Sequence, residues 1–424
     1  MNAVPLWPAL AVAGLVLAPS VQLVVLLGGG RVDWCGGLFG AGGAGVAAAG
    51  RKPLGGDHRR CLGIAQWVGR SPAAAGGPQP RSGAGGGVVA CGGTKHRVFA
   101  GPPRGGLGGC CRACARPSPT RPVCCAPCWP LTPPDRWPAR AQAALRHGQA
   151  QLLLVLAGTQ TAAVPGISAA GATPDSRRFT AAADAELLWG GPGGHRPHAL
   201  PPLPAGVSPA LISWVAQQQL QLPLVVADAG AFVAPAVPHL QLGVEPADCL
   251  SSGAAMAPAV VERLLRRGRQ LGCGFRRRHP EGLLVLAECV PGGTSTAEAL
   301  LRGLGVDAAG VVSGSLRQPP HSLRGALVQQ GLDAMAGRGI SAEKPLAVLA
   351  ALGDPFQAMA LGVLQGLLLP AVGEGPQALL AGGSQMLALA GLWMASLSGA
   401  ERAACQGQLA VATTSWVMQE PGSN

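Results

Sequence analysis

Short, continuously apolar runs that end in small or polar residues recur along the last two thirds of the chain. They lack the polar alternation of a half-exposed strand, and their length is that of a strand buried on both faces of a sheet. The runs are QLLLVLAG (151–158), LPLVVADAG (222–230), LLVLAECV (283–290), LAVLAALGD (346–354), QALLAGGS (377–384) and QLAVATT (408–414).

Stretches with apolar residues at helical spacing lie between these runs. In APAVVERLLRRGRQLG (257–272) the arginines fall on the face opposite the apolar residues. The spacing also predicts helices for STAEALLRGLG (295–305), DPFQAMALGVLQGLL (354–368) and GSQMLALAGLWMASL (383–397). Alternating strands and helices predict an α/β fold, a parallel doubly wound sheet with helices on both faces.

The first third of the chain has a different pattern. Residues 1–146 contain no Glu and include Gly/Ala/Arg stretches such as AGGAGVAAAG (41–50), without a sustained helical or strand period. Such a segment has little amphipathic surface to bury. We therefore predict a low-complexity, largely disordered extension over 1–146 and a folded domain over 147–424. A spurious reading frame through GC-rich DNA would give the same composition, and this alternative stays open.

The charged residues are distributed unevenly between the first third of the chain and the rest. Residues 1–146 hold 16 of the 32 Lys and Arg residues but only three of the 20 Asp and Glu residues. The net charge of +12 therefore belongs to the first third, and residues 147–424 are close to neutral. Because a basic footprint on the folded domain is missing, we predict no nucleic-acid partner.

Two features of the first third suggest an alternative function. Residues 3–27 are uncharged and long enough to span a bilayer, although no basic region precedes them. Cys111-x2-Cys114 and Cys125-x2-Cys128 supply four thiolates, the number that holds zinc, across a gap shorter than usual. Together they would make a membrane-tethered protein with a small zinc site. The interpretation that we prefer is a cytoplasmic protein without a membrane partner.

Three of the predicted strand-to-helix turns share a composition of glycines and hydroxyls. They are GTQTA (158–162), PGGTSTA (291–297) and GGSQM (382–386). Glycines allow a ligand to approach the backbone, and free N–H groups at a helix start favour phosphate. None of the turns is a Walker or dinucleotide motif. Simple helix capping by Ser and Thr would also explain each of them.

Four stretches, 157–188, 287–315, 351–364 and 379–392, resemble a cyanobacterial and archaeal family of uncharacterised proteins. That family is related to nicotinate-nucleotide–dimethylbenzimidazole phosphoribosyltransferase, and the resemblance covers about residues 147–420. It implies a pentosyltransferase that moves ribose 5-phosphate from nicotinate mononucleotide to a benzimidazole-like base, which forms the lower-ligand nucleotide of cobalamin. It implies no metal or redox cofactor. Relatives are often dimers, which makes a homodimer a further expectation.

The resemblance also implies a set of site residues. Glu288 would lie in the substrate pocket, as the group that orients the base or stabilises developing charge. Asp354 would orient ribose, or would serve as the N-cap of the helix that follows it. The predicted binding residues, for phosphate and for the lining of the pocket, are Gly292, Gly293, Thr294, Ser295, Thr296, Ser313, Ser315, Gly382, Gly383, Ser384 and Gln385.

The C-terminal sequence departs from the family pattern. Relatives carry a second glutamate in a Gly-rich segment of the form EG-GAGG, whereas this chain ends VATTSWVMQEPGSN (411–424). We therefore expect a chain truncated before a catalytic residue. Loss of a general base costs about 10²–10⁴-fold in rate while binding can persist. A non-catalytic or defunct nucleotide-binding remnant is accordingly the second interpretation. The histidines, such as His195, His198, His279 and His321, show no spacing typical of a metal site.

Overall fold

The computed structural model describes residues 136–200, 208–312, 320–369, 375–405 and 407–414, and the backbone of strands Gln22–Leu27 and Gly30–Cys35. Backbone contacts divide the chain into two units, one of residues 1–40 and 125–424 and one of residues 41–124. The second unit lies outside the described residues. So do the predicted zinc ligands Cys111, Cys114, Cys125 and Cys128 and most of the predicted extension.

Eight strands form a single sheet in the order β2-β1-β8-β7-β6-β3-β4-β5. The strands are β1 (Gln22–Leu27), β2 (Gly30–Cys35), β3 (Ala150–Leu156), β4 (Leu224–Asp228), β5 (Leu240–Gln241), β6 (Leu283–Cys289), β7 (Gln377–Ala381) and β8 (Leu409–Thr414). The six strands from β3 to β8 are parallel, which confirms the predicted fold class.

An antiparallel hairpin of β1 and β2 extends the sheet beside β8. Sequence analysis did not predict it, because QLVVLL (22–27) was part of the longer apolar run considered as a membrane anchor. In the part of the chain that the structure describes, no helix is both long and apolar enough to cross a bilayer.

Helices cover both faces of the sheet, as predicted. They are α1 (Arg136–Arg146), α2 (Pro174–Arg177), α3 (Thr180–Gly190), α4 (Pro209–Leu220), α5 (Pro258–Arg278), α6 (Gly293–Gly303), α7 (His321–Gly337), α8 (Pro345–Leu352), α9 (Pro355–Leu368), α10 (Ser384–Ser396) and α11 (Gly399–Ala404). Alternate residues of β3 enter two separate cores: Val155 packs with residues of α5 and α9, and Leu154 packs with residues of α1 and α3. Alternation of this kind follows from the two-residue period of a strand.

One predicted strand is wrong. LAVLAALGD (346–354) forms helix α8 instead. A continuous apolar run fits a buried helix as well as a buried strand. Here Pro345 occupies the first turn, where its missing N–H costs nothing, and three alanines favour the helix.

Helices α5 and α9 pack with their backbones in contact. A Cβ at Gly268 would lie 2.2 Å from the carbonyl oxygen of Met359, and one at Gly366 would lie 2.2 Å from that of Arg269. Gly272 and Gly362 are equally close to the opposite helix. This packing fixes the start of α9, which carries Asp354 as its N-cap.

Helix α1 precedes the predicted start of the folded domain and contributes to its core. Trp137 is buried, and its carbonyl oxygen accepts a 3.1 Å hydrogen bond from Nε2 of Gln377 at the start of β7. Arg140 donates to the carbonyl oxygen of Gly375. The low hydrophobicity of this segment concealed its buried Trp and Ala side chains.

Candidate active site at the carboxyl ends of the strands

The strand order creates a crevice at one point of the sheet. The chain runs outwards from β3 to β4 and β5, and then crosses to β6 on the other side of β3. The loops that follow β3 and β6 therefore leave in opposite directions. Ligands of doubly wound sheets bind outside the carboxyl ends of the strands at such a switch point.

Two of the predicted glycine-hydroxyl turns meet in this crevice. Gly292, after β6, has a φ of +84°, and a Cβ there would lie 3.0 Å from the backbone nitrogen of Ala162 in the turn after β3. A side chain at position 292 would thus strain the backbone and separate the two turns. The third turn, after β7, also reaches the site, because a Cβ at Gly293 would lie 2.6 Å from Nε2 of Gln385.

A buried hydrogen-bond network joins three of the predicted site residues. Oδ2 of Asp354 accepts from Oγ1 of Thr296 at 2.5 Å and from Nε2 of Gln385 at 2.6 Å. Gln357, which sequence analysis missed, donates from Nε2 to Oε1 of Gln385 at 2.7 Å. All four side chains are buried. The network therefore links the starts of α6, α9 and α10.

Asp354 is also the N-cap of α9. Its Oδ1 accepts from the backbone nitrogen of Gln357 at 3.2 Å, and Oε1 of Gln357 accepts from the backbone nitrogen of Asp354 at 3.1 Å. This reciprocal pair is a capping box, so the N-cap alternative for Asp354 is confirmed. Burial raises the pKa of Asp354, and its hydrogen bonds from Thr296 and Gln385 oppose that rise.

Glu288 lies at the end of β6, at the edge of the crevice. The side chain is half-buried. Burial is the largest cause that raises the pKa of Glu288 to about 8, and the nearby carboxylates of Asp354 and Asp184 raise it further. A hydrogen bond from the backbone of Val290 opposes the shift. Glu288 is thus mainly protonated at neutral pH and becomes a carboxylate in the mildly alkaline range.

Asp184, on α3, is a second acid of the site that sequence analysis missed. Its Oδ1 accepts from Oγ of Ser208 at 2.7 Å, and its Oδ2 accepts from Sγ of Cys289 at 3.3 Å. Burial raises the pKa of Asp184, and burial raises the pKa of Cys289 well above its usual range. Cys289 is therefore a neutral thiol that donates to Asp184. Asp184 and Glu288 are 104 positions apart in the sequence. No local pattern could therefore predict that these two acids belong to the same site.

The threonine hydroxyls in the turn after β3 are hydrogen-bonded to the protein backbone. Oγ1 of Thr159 accepts from the backbone nitrogen of Thr161 at 3.2 Å, and Oγ1 of Thr161 accepts from that of Leu250 at 3.1 Å. Both threonines are buried. For this turn, the capping interpretation explains the hydroxyls.

The remaining predicted residues occupy different depths. Thr294 and the loop of Gly382, Gly383 and Ser384 are half-buried at the edge of the crevice. Ser295 is buried, and its Oγ has no hydrogen-bond partner among the described residues. Ser313 and Ser315 lie outside the described residues. In the described ranges, no group of three His, Cys, Asp or Glu side chains is arranged to hold a metal ion.

Helices α6 and α10 both begin without a side-chain cap. The N-cap residues are Gly292 and Gly383, and neither helix has an acid in its first turn. The positive helix end favours an anion at each position, although at α6 the N–H groups of Gly293 and Ser295 already donate to the carbonyl oxygens of Val290 and Gly292. Helix α9 between them differs, because Asp354 occupies its N-terminus.

These features define a doubly wound α/β protein with an acidic, glycine-lined site at its switch point. The chain is 51% identical over 272 residues to a UPF0284 protein of Prochlorococcus marinus and to one of Parasynechococcus marenigrum. Each alignment covers 63% of this chain, and 65% and 66% of the respective relatives, slightly under two thirds of their length. A UPF0284 protein of Nostoc sp. is 41% identical over 275 residues, which span 63% of this chain and 70% of that protein.

The chain belongs to the UPF0284 family. No family model matches it. Among solved structures it is similar to CobT of Thermus thermophilus, with a TM-score of 0.44 and 22% identity over 66% of this chain and 77% of that one. It is also similar to a nicotinate-nucleotide–dimethylbenzimidazole phosphoribosyltransferase of the same organism, with a TM-score of 0.42 and 21% identity over 66% and 76% of the two chains.

Proposed function

We propose that the crevice binds nicotinate mononucleotide and that the protein transfers its ribose 5-phosphate unit to a benzimidazole-like base. The observation that carries this proposal is the combination of one carboxyl group with two uncapped helix starts. Glu288 lies at the end of β6, four residues before Gly292, the N-cap of the first helix. Gly383 is the N-cap of the second helix. The motif resemblance over residues 147–420 supports the same chemistry.

The phosphate would bind at the starts of α6 and α10. The positive ends of both helices favour an anion, and the hydroxyls of Thr294 and Ser384 lie on the first turns of these helices. The hydroxyl of Thr296 instead contacts Asp354. Thr296 would therefore fix the start of α6 and leave direct phosphate contact to Thr294.

In this proposal Glu288 takes the proton of the acceptor base, a role that the resemblance instead gives to the second glutamate of the relatives. The bond between C1 of the ribose and the nicotinate nitrogen breaks, and its electron pair stays with nicotinate. The unprotonated ring nitrogen of the acceptor base forms the new bond to C1, and the other ring nitrogen loses its proton to the Glu288 carboxylate. A base with a pKa near 8 is well matched to this role close to neutral pH. The reaction needs no metal or redox cofactor.

Calorimetric titration with nicotinate mononucleotide tests the proposal. We expect saturable binding below millimolar concentration, and weaker binding by the Thr294→Val variant, which loses a phosphate donor. Ser341→Ala is the control, because Ser341 is an exposed hydroxyl in the loop between α7 and α8. Absence of binding at millimolar concentration would contradict the proposal. Saturable binding without nicotinate release would leave the nucleotide-binding alternative.

A homodimer and a cytoplasmic location remain predictions of this proposal. The homodimer would be tested by the mass of the protein in solution. The location would be tested by fractionation of the native cells.

A further inference from the structure

A cavity adjoins the crevice on the side of β4. The turn Gln160–Ala163, the segment of Pro174, Asp175 and Arg178, and the ring of Phe232 line it. With the open space at its mouth it measures about 280 Å³. Most of that figure is open space, and the enclosed volume of about 40 Å³ is far below the about 300–1,000 Å³ of a complete ligand site. The cavity is therefore suited to part of a ligand, such as one ring held partly at the open mouth, and not to a whole nucleotide.

The cavity shares one wall residue with the proposed active site. Ala162 forms part of its wall and also touches the turn after β6, where a Cβ at Gly292 would lie 3.0 Å from the Ala162 nitrogen. On the other side, a Cβ at Gly158 would lie 2.9 Å from the ring of Phe232. Neither glycine could carry a side chain without displacing the Ala162 backbone or the Phe232 ring, so this wall of the cavity is closely packed.

A buried arginine gives the cavity wall its shape. Arg177 donates from Nη1 to the carbonyl oxygens of Ala162 at 2.8 Å and Val164 at 3.0 Å, and from Nε to that of Gly171 at 3.1 Å. Its side chain is buried. Three charge-assisted hydrogen bonds to one loop fix the conformation of that loop before a ligand arrives.

The chemistry of the lining is that of a site for a planar, charged ring. The guanidinium carbon of Arg178 lies 4.7 Å from the centroid of the Phe232 ring, within the range of a cation–π contact. In the described part of the chain, no carboxylate pairs with Arg178. Asp175 lines the same cavity with the opposite charge. A ligand that carries a carboxylate and a ring cation together would match both.

We propose that this cavity is the subsite for the pyridinium-carboxylate ring of the donor nucleotide, with Arg178 bound to the ring carboxylate. The proposal rests on the proposed function, because it places the nicotinate group of that substrate. It assigns to Arg178 the preference for the acid over the corresponding amide. Arg178 is a specificity-determining residue in this account, and Arg177 is a positioning residue.

The test compares nicotinate mononucleotide with nicotinamide mononucleotide, which differ in the ring carboxylate alone. Calorimetric titration of the full chain should show a preference for the acid. Arg178→Gln should weaken binding of the acid by at least about tenfold, the effect of losing one charged hydrogen bond, and should leave binding of the amide within about twofold. Arg178→Lys keeps a cation without the planar stack on Phe232 and should retain part of the preference. Arg338→Gln, at an exposed position after α7, is the control.

The possible results separate the two proposals. A wild-type protein that binds neither nucleotide overturns both. A wild-type protein that binds the acid, together with an Arg178→Gln variant that keeps the same preference, overturns the subsite and leaves the function in place. Equal loss of both nucleotides in a variant with unchanged thermal unfolding would also overturn the assigned role, because the amide lacks the carboxylate that Arg178 is proposed to bind.

Discussion

At the scale of single residues, the site contains one buried acid, Asp354, and two half-buried acids, Asp184 and Glu288, with different roles. Asp354 is enclosed by Thr296 and Gln385 and caps a helix. Asp184 accepts from Ser208 and Cys289. Burial and both neighbouring acids raise the pKa of Glu288 to about 8. We therefore expect the proton of Glu288 to move near neutral pH.

The raised pKa of Glu288 makes the free energy of unfolding depend on pH. Because the folded state binds the proton more tightly than the unfolded chain, stability should fall as the pH rises from the ordinary value of 4.5 to about 8. At about 1.4 kcal/mol per pH unit, the loss is at most about 5 kcal/mol. Urea unfolding at pH 5 and pH 8.5 should show this fall, and Glu288→Gln should reduce it. An equal fall in both proteins would assign the dependence to other groups.

Removal of the Asp354 carboxylate should destabilise the fold more than loss of an ordinary cap. Asp354→Ala would lose the cap of α9 and deprive Nε2 of Gln385 of its 2.6 Å buried acceptor, at a cost of about 2–4 kcal/mol. Thr296 would keep its 2.9 Å hydrogen bond to the carbonyl oxygen of Gly293. Ser398→Ala removes a similar capping box from the exposed helix α11 and should cost about 1 kcal/mol. Equal effects in urea unfolding would show that the buried network adds nothing.

At the scale of elements, the helix pair α5 and α9 holds the start of α9 in place. Gly272→Ala would bring a methyl group to 2.2 Å from the carbonyl oxygen of Val363, and we expect a loss of about 1–3 kcal/mol. Gly274→Ala is two positions away, where the nearest atom is Nη1 of Arg278 at 3.7 Å. The Gly274 variant should be unchanged or more stable by about 0.5–1 kcal/mol. Thermal unfolding of both variants would test the close packing.

Most of the strands, but not every element, could be predicted from the sequence alone. Five of the six apolar runs are strands, because a short apolar run that ends in small or polar residues fits a strand buried on both faces of a parallel sheet. LAVLAALGD (346–354) has the same hydrophobicity, yet its alanines and Pro345 favour the helix, and hydrophobicity alone could not separate the two. Helix α1 was missed for the opposite reason, since Arg-rich sequence surrounds Trp137.

The candidate site was predictable where its residues follow strands. Glu288, Gly292 and Gly293 stand at the carboxyl end of β6, and a parallel sheet gathers such ends at one edge. Asp184, Gln357 and Arg178 were not predicted, because their roles depend on contacts between distant segments. The pairing of Thr296 with Asp354, 58 positions apart, likewise has no local signature.

At the scale of the whole molecule, the strand order brings the residues of the site together. The chain reverses direction across the sheet between β5 and β6, which opens the crevice between β3 and β6. The turns after β3, β6 and β7 then supply the wall of the cavity, Glu288 and the second helix start. An interpretation as a membrane-tethered zinc protein draws on residues 3–27 and 111–128, and it would leave this assembly of glycines and acids unexplained.

The most direct test of the proposed transfer is the release of free nicotinate, measured by chromatography. The full chain would be incubated with nicotinate mononucleotide and 5,6-dimethylbenzimidazole. We predict nicotinate release matched by consumption of the acceptor, with a rate that rises as the pH approaches about 8 and that falls about 10²–10⁴-fold in Glu288→Gln. Release no greater than without protein, or an equal rate in the Glu288→Gln variant, would contradict the account.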